Sequence, residues 1–240
     1  YNGKGELMTD YEWDALFDQL KRLEEETGEI LPDSPTNRVS EDSIVGKKEE
    51  HEFAALSLAK TKQVSDLVKW AEDRPIWISW KLDGLTLVVT YDGGKLTKIV
   101  TRGNGHIGTN ITHLAPAISG IPATISEKGH LVVRGEAVIS YTDFEQFIIE
   151  SEGDYANPRN LASGSLTLKD IEEVKQRHIQ WIPFTLVYTE RELTSWGERM
   201  QMLKDLGMSP VERERIDHPT TENIQLEIDK FTEKVTSKKN

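Results

Sequence analysis

The sequence predicts an α+β domain built on antiparallel sheet, preceded by a small helical unit. From Ile76 onward apolar and polar residues alternate with the period of two that marks half-buried strands. Asp92-Gly93-Gly94 stands between two such runs, a turn that folds one strand back on the next. Segments of helical period lie between the strand blocks, whose members read as joined mostly by hairpins.

Taken in order, Thr9-Asp10-Tyr11-Glu12 reads as a capping box, threonine at the N-cap and glutamate three residues on. The helix runs to about Thr27, where Gly28 is a natural stop. Trp13, Leu16, Phe17, Leu20 and Leu23 follow helical spacing and are expected to form one buried stripe. Asp10, Asp14 and Asp18 stack on the adjoining face, which taken alone reads as a solvated acidic surface. The charged, Pro- and Ser-containing stretch LPDSPTNRVSEDSIVGKKEE, residues 31–50, has no period and reads as a linker. The expected division is therefore 1–48 for the helical unit with its linker and 49–240 for the sheet domain.

The short apolar piece AALSLAKT comes next, then a helix over about Val64 to Glu72 and the strands on either side of the Gly93-Gly94 turn. A further strand covers Leu131 to Ile139, and TDFEQFIIES reads as a helix. Asn157-Pro158 marks a break, with RNLASGSL after it and a helix near Lys169 to Gln176. IQWIPFTLVY is a strand, Ser195 to Leu206 a helix ended by Gly207, Val211 the neighbourhood of a short strand, and Thr221 to Val235 a last helix. No internal repeat is visible.

The 240 residues, 37% hydrophobic and 29% charged, suffice for a real core. With no cysteine the chain has no disulfide, thiolate zinc site or thiol nucleophile, which fits a cytoplasmic protein. No apolar run approaches the ~20 residues of a membrane span. The formal net charge of -12, from 41 acidic and 29 basic residues, makes the chain a poor nucleic-acid clamp by itself, although much of the excess lies in residues 7–29. The chain opens on Tyr1 rather than methionine and is expected to be trimmed there.

Trp80-Lys81-Leu82-Asp83-Gly84 lies between two apolar runs. In an extended segment Lys81 and Asp83 point to one face, so an ammonium and a carboxylate meet there. A lysine amine is a good nucleophile toward phosphorus once neutral, and partial burial or nearby cations favour that form over the ordinary pKa of about 10.4. A plain ion pair at a strand end explains Lys81 and Asp83 equally well on these residues alone.

Other motifs accompany this one in a fixed order: T-R-G-N-G at 101–105, V-R-G-E at 133–136 and A-N-P-R-N-L-A-S-G-S-L at 156–166. Upstream stand D-Y-E-W-D-A-L at 10–16, S-P-T-N-R-V at 34–39 and A-A-L-S-L at 54–58. Together they resemble the bacterial-type NAD-dependent DNA ligases over nearly the whole chain. The resemblance implies an antiparallel-sheet nucleotidyltransferase fold, ATP-grasp-like, and an NMN-binding helical domain before it. It implies NAD and Mg2+ as cofactors, nicked double-stranded DNA as the partner of the full-length protein, no membrane, a monomeric state and a part in replication or repair. Lysine would attack the adenylyl phosphorus of NAD and expel nicotinamide mononucleotide. AMP would then pass to the 5′-phosphate of a nick, and the 3′-hydroxyl would displace it.

Residue by residue, Lys81 would be the nucleophile, and Asp83 would orient or deprotonate it and help position magnesium. Arg102 would contact the adenosine ribose or phosphate, and Glu136 the ribose hydroxyls or a metal-bound water. The plain structural readings are a sheet-edge cap for Arg102 and a pair with Arg134 for Glu136. Ser57 and Leu58 either line the adenine pocket or pack in the core. Asp10, Trp13 and Asp14 would grip the mononucleotide half, whose cationic pyridinium an aromatic face and carboxylates stabilise; Trp13 could stack on that ring or join the core. The metal ligands are not assigned by the sequence.

The chain departs from the family pattern in several places. Trp13 stands for a tyrosine, Ser79 for the glutamate that faces adenine, and Asn104 for an aspartate. The family's D-G-x-V-x-K strand, K-F-P segment, OB-fold, zinc module and helix-hairpin-helix region do not follow within the 240 residues. The expectation is thus of an adenylation domain incomplete at its C-terminal end. The rival expectation is a catalytically weak or inactive nucleotide-binding relative that acts as a binding module.

Overall fold

A computed structural model describes residues 10–29, 31, 34, 36, 44, 46–151 and 155–238. The chain falls into two compact units, Tyr1–Asp42 and Ser43–Asn240.

In the first unit, helix α1 spans Asp10–Thr27, as the spacing predicts; its expected cap, Thr9, lies outside the described residues. The helix ends where Gly28 takes a φ of 69° and donates its N–H to the Glu24 carbonyl at 2.9 Å, a left-handed stop that glycine adopts without strain. Glu24 is buried, and its carboxylate accepts the hydroxyls of Ser34 and Thr36, which tie the S-P-T segment to the helix. The expected buried stripe is only partly buried: Leu16 and Leu23 are half exposed, Phe17 and Leu20 intermediate. Among the described residues of this unit no second helix or strand is present to cover the whole stripe.

The second unit runs β1 (Lys48–Glu50), α2 (Val64–Ala71), β2 (Ile76–Ser79), β3 (Leu85–Asp92), β4 (Lys95–Thr101), β5 (Ile107–Thr109), a 3-10 helix (Thr112–Ala117), β6 (Leu131–Val138), α3 (Tyr141–Ser151), α4 (Pro158–Ser165), α5 (Ile171–Lys175), β7 (Gln180–Thr189), α6 (Trp196–Asp205), β8 (Arg213–Ile216) and α7 (Thr221–Lys238). Its main sheet has the order β4-β3-β6-β7 and is antiparallel throughout, the class expected. Gly93 and Gly94, at φ 60° and 78°, close β3 onto β4 as a two-residue hairpin requires. The other neighbours in this sheet are joined by long connections rather than hairpins, and those connections supply the helices that cover one face.

That face carries Leu87, Val89, Tyr91, Leu131, Val133 and Ala137 into the principal core, against Leu161, Val174, Trp181 and Leu203. Burial of each such side chain stabilises by about 1.5–3 kcal/mol. Alternation sends Thr86 and Val88 of β3, and Val132, Arg134 and Glu136 of β6, to the opposite face. There Ala55 and Phe53, in the segment after β1, cover Val88 and Val132 beside Tyr188. A smaller core joins the β2–β8 pair to α2 and α7 through Ala71, Ile76, Ile216 and Ile224.

Several elements differ from the sequence reading for identifiable reasons. The end of the stretch read as linker, Lys48–Glu50, is a strand paired with Ile107–Thr109, a backbone pairing that leaves no apolar period to read. The Asn157-Pro158 break is a helix start: Asn157 caps α4 by accepting the Asn160 N–H at 2.8 Å, and Pro158 fills the first turn. Ser and Gly hide the helix in its composition. The last strand begins at Arg213, two residues beyond Val211, whose N–H bonds the Pro183 carbonyl at 2.8 Å instead. Ser195 and Glu198 form a full capping box on α6.

Candidate active site

The site is built around the start of β3. Gly84 lies so close to β6 that a Cβ there would fall 2.1 Å from the Ala137 carbonyl oxygen, so only glycine lets residues 81–84 pass. Its N–H donates to Glu136 Oε1 at 3.1 Å, and the Thr86 hydroxyl, from the cross-strand partner of Glu136, donates to Oε2 at 2.8 Å. Burial pushes the Glu136 carboxyl up from the ordinary carboxylate range; the Thr86 and Gly84 bonds oppose this, as do the charges of Arg159 and Lys81. The glycine of V-R-G-E has a similar cause, since a Cβ on Gly135 would meet the buried Trp181 ring at 2.4 Å.

Lys81 is exposed, in the loop between β2 and β3. The loop is held from behind, where Trp80 Nε1 donates to Glu212 Oε2 at 2.9 Å and the indole meets the Phe231 ring edge-on at 4.7 Å. Asp83 pairs with Arg159 Nη1 at 2.8 Å rather than with Lys81. Arg159 is an exposed residue of A-N-P-R-N, and capping by Asn157 with the burial of Pro158 and Leu161 aims it from α4. Ser79 is exposed and lies opposite Arg213 in the β2–β8 pair.

A second group stands on the T-R-G-N-G loop. Gly103 and Gly105 take φ of 55° and 91°, and Gly105 packs against Ala55. Arg102 donates from Nε to the Ala55 carbonyl at 3.0 Å and from Nη2 to the Ser57 hydroxyl at 2.8 Å. Leu58 is 86% exposed, so it is not packed in the core. Arg134 bonds the Phe53 and Ala54 carbonyls and not Glu136, which turns to Gly84 and Thr86 instead.

This constellation sits in a chain whose residues 47–239 match the model of the NAD-dependent DNA ligase adenylation domain. The chain belongs to that family. Residues 1–40 match the DNA ligase-like, N-terminal NAD+-binding domain. A DNA ligase of Lachnoclostridium phytofermentans is 40% identical over 232 residues, covering 94% of this chain and 35% of that protein. A DNA ligase of Ruminiclostridium cellulolyticum is 39% identical over 241 residues, 98% of this chain and 36% of that one. The chain thus spans about a third of the length of these relatives. A solved mycobacterial DNA ligase D complexed with ATP and MES gives a TM-score of 0.35 at 16% identity, over 58% of this chain and 40% of that one, too slight a likeness to bear on the fold.

Within this adenylation domain, Lys81, Asp83 and Glu136 gather at the start of β3, with Arg102 and Ser57 on the adjoining segment. Asp10, Trp13 and Asp14 stand in the first turns of α1, in the other unit, and their side chains lie outside the described residues. The sequence reading assigned no role to Arg159 or Trp80, and gave Arg134 only as a pairing partner of Glu136, which it does not meet. Arg159 was inside a quoted motif, yet its partner lies 76 residues away and no spacing discloses it. Among the described residues no group of three or more His, Cys, Asp and Glu could hold a metal ion, and no helix is long and apolar enough to cross a membrane.

Proposed function

We propose that this chain carries out the first step of NAD-dependent ligation, the transfer of AMP from NAD to Lys81. What carries the reading is that an exposed lysine, a half-buried carboxylate and an arginine–aspartate pair stand at one end of β3, held there by a glycine that nothing larger can replace. Lys81 Nζ, as the neutral amine, attacks the adenylyl phosphorus. The N–P bond forms and the amine gives up one N–H proton to solvent, the P–O bond to the other half breaks, and nicotinamide mononucleotide leaves with the pyrophosphate oxygen and its electron pair.

Arg102, with Ser57, would hold the adenosine ribose or phosphate, and Leu58 the adenine face. Glu136, with both oxygens already accepting hydrogen bonds, is suited to ribose hydroxyls rather than to a metal. Mg2+ is usually bound by one or two carboxylates together with substrate phosphates and waters. Asp83, 67% exposed, fits that use, and the ion would offset phosphate charge. Asp10, Trp13 and Asp14 would recognise the pyridinium.

In the same reading residues 1–48 form the mononucleotide-gripping part and 49–240 an ATP-grasp-like nucleotidyltransferase domain. The whole protein, a cytoplasmic monomer, would pass AMP to the 5′-phosphate of nicked duplex DNA and seal it. Ser79, where the family has glutamate, favours as second reading a relative that binds nucleotide without reacting. The test is intact mass after incubation of the whole protein with NAD and magnesium. A gain of one AMP on wild type, absent from Lys81→Ala and not produced by ATP, supports transfer; unmodified wild type that still binds NAD favours the second reading.

A further inference from the structure

We propose that Arg134 is a positioning residue for Arg102, a strut that fixes the Arg102 side chain relative to Glu136. The proposal rests on the reading of Arg102 as a nucleotide contact. The backbone of Arg102 is set directly, by its N–H to the Thr86 carbonyl at 3.0 Å. Its side chain is set by the segment 51–57, through the Ala55 carbonyl and the Ser57 hydroxyl. That segment is bound to the loop carrying Arg102, by His51 N–H to the His106 carbonyl and Ala55 N–H to the Gly105 carbonyl, each at 2.7 Å. Loop and segment therefore form one body, and the guanidinium of Arg134 ties that body to the middle of the sheet.

Arg134 stands on β6 two residues before Glu136 and on the same face, opposite Val88 on one side and Thr185 on the other. Its Nη2 donates to the Phe53 carbonyl at 3.2 Å and the Ala54 carbonyl at 2.6 Å. With Arg102 on Ala55, two guanidiniums take three successive carbonyls. Any neutral amide could donate to those oxygens, so the choice of a second cation carries a cost. Burial holds the Arg134 guanidinium below its usual range and the charge of Arg102 lowers it further, while its buried Nε has no hydrogen-bond partner among the described residues. Both bonds leave the one Nη2, whose two N–H groups lie in the guanidinium plane at the end of a side chain longer than any amide's, so they reach adjacent carbonyls at once and fix their orientation as well as their distance. A displacement of about 1 Å at a group that positions substrate can cost roughly 100-fold in rate.

The test is a double-mutant cycle in the whole protein, reading the rate of AMP-adduct formation from NAD. Arg134→Met should lower kcat/KM by about 10- to 100-fold in the wild-type background and by less than about threefold on Arg102→Met, because the two act as a unit. Arg134→Lys, which retains the charge and loses the planar Nη2 group, should be as impaired as Arg134→Met. In both variants the His51 and Ala55 amides should exchange with deuterium about tenfold faster, with the β3 and β6 amides unchanged. Additive effects, full rate in Arg134→Lys, or unaltered exchange at His51 and Ala55 would each overturn the proposal. If wild type gains no AMP from NAD, the function proposed above fails, and the exchange measurement alone decides whether Arg134 is the strut.

Discussion

Replacement of Gly84 by alanine tests the site at its most constrained point. The added Cβ would stand 2.1 Å from the Ala137 carbonyl oxygen and 2.9 Å from Val138 Cγ1, so β3 and β6 must part by more than an ångström to restore an ordinary 3.4 Å contact. Overpacking of this kind costs about 1–3 kcal/mol. At about 2–4 °C per kcal/mol for a domain of this size, the melting temperature should fall by roughly 2–12 °C. The same displacement pulls the Gly84 N–H from Glu136 and carries Lys81 with it, so adenylation should slow by about 100-fold. Gly93→Ala is the control: its φ of 60° also penalises alanine, but a Cβ there meets nothing within 4 Å and lies at the far end of β3. Both variants should melt earlier, and only Gly84→Ala should lose rate. The assay pairs thermal melting with the time course of the AMP adduct by intact mass. Wild-type adenylation by Gly84→Ala would refute the claim that contact with β6 places Lys81.

Glu136→Gln should abolish or sharply slow adenylation and yet melt no earlier than wild type at pH 8. Burial raises the folded-state carboxyl, so ionisation opposes folding as pH rises through that value, and the glutamine's advantage should vanish as pH falls; a clear loss of melting temperature at pH 8 would refute this. His130 bridges Asp92 at 2.6 Å and Glu52 at 2.8 Å, and chiefly the Asp92 bond raises it above the ordinary histidine value. Its stabilisation is complete below about pH 6.5 and lost as pH rises through the raised folded value, and in acid it is lost again where Asp92 takes up a proton. The partners are half exposed, so His130→Phe should cost at most about 1 kcal/mol, roughly 2–4 °C at pH 6, and nothing by pH 9; a gap independent of pH would exclude the ionic bridge. Asp10→Ala combined with Asp14→Ala should block adenylation from NAD while leaving a pre-adenylated protein able to seal nicked DNA. Loss of sealing in the pre-adenylated variant would remove these residues from mononucleotide recognition alone.

The strands of the main sheet were legible because each buries one face, and burial on one face writes a period of two into the sequence. The start of α6 was legible because Ser195 and Glu198 satisfy their own backbone donors locally. The pairing of β1 with β5 left no such trace, since backbone bonds between short polar strands impose no side-chain pattern. In the site, the resemblance singled out Lys81, Asp83, Arg102 and Glu136, but the partners of the last three are remote in sequence. Asp83 meets Arg159 and Arg102 meets Ser57 only once the sheet has formed. The motif glycines were visible as letters, whereas their reason, a carbonyl 2.1 Å from a Cβ on Gly84, exists only in three dimensions.

The partner of β2 has a consequence for how the protein is made. Ile76–Ser79, the strand leading into Lys81, pairs with Arg213–Ile216, so roughly 140 residues must leave the ribosome before it finds its neighbour. At ~5–20 residues per second that wait is on the order of ten seconds. Meanwhile Ile76, Trp77 and Ile78 present apolar side chains and unpaired backbone, the kind of edge that recruits stray strands. The four-stranded sheet has all its members by Thr189 and can assemble first, as contacts nearer in sequence form sooner. The nascent chain would thus hold Arg102 and Glu136 in place while Lys81 still swings free, and competence to react with NAD would wait for Arg213–Ile216.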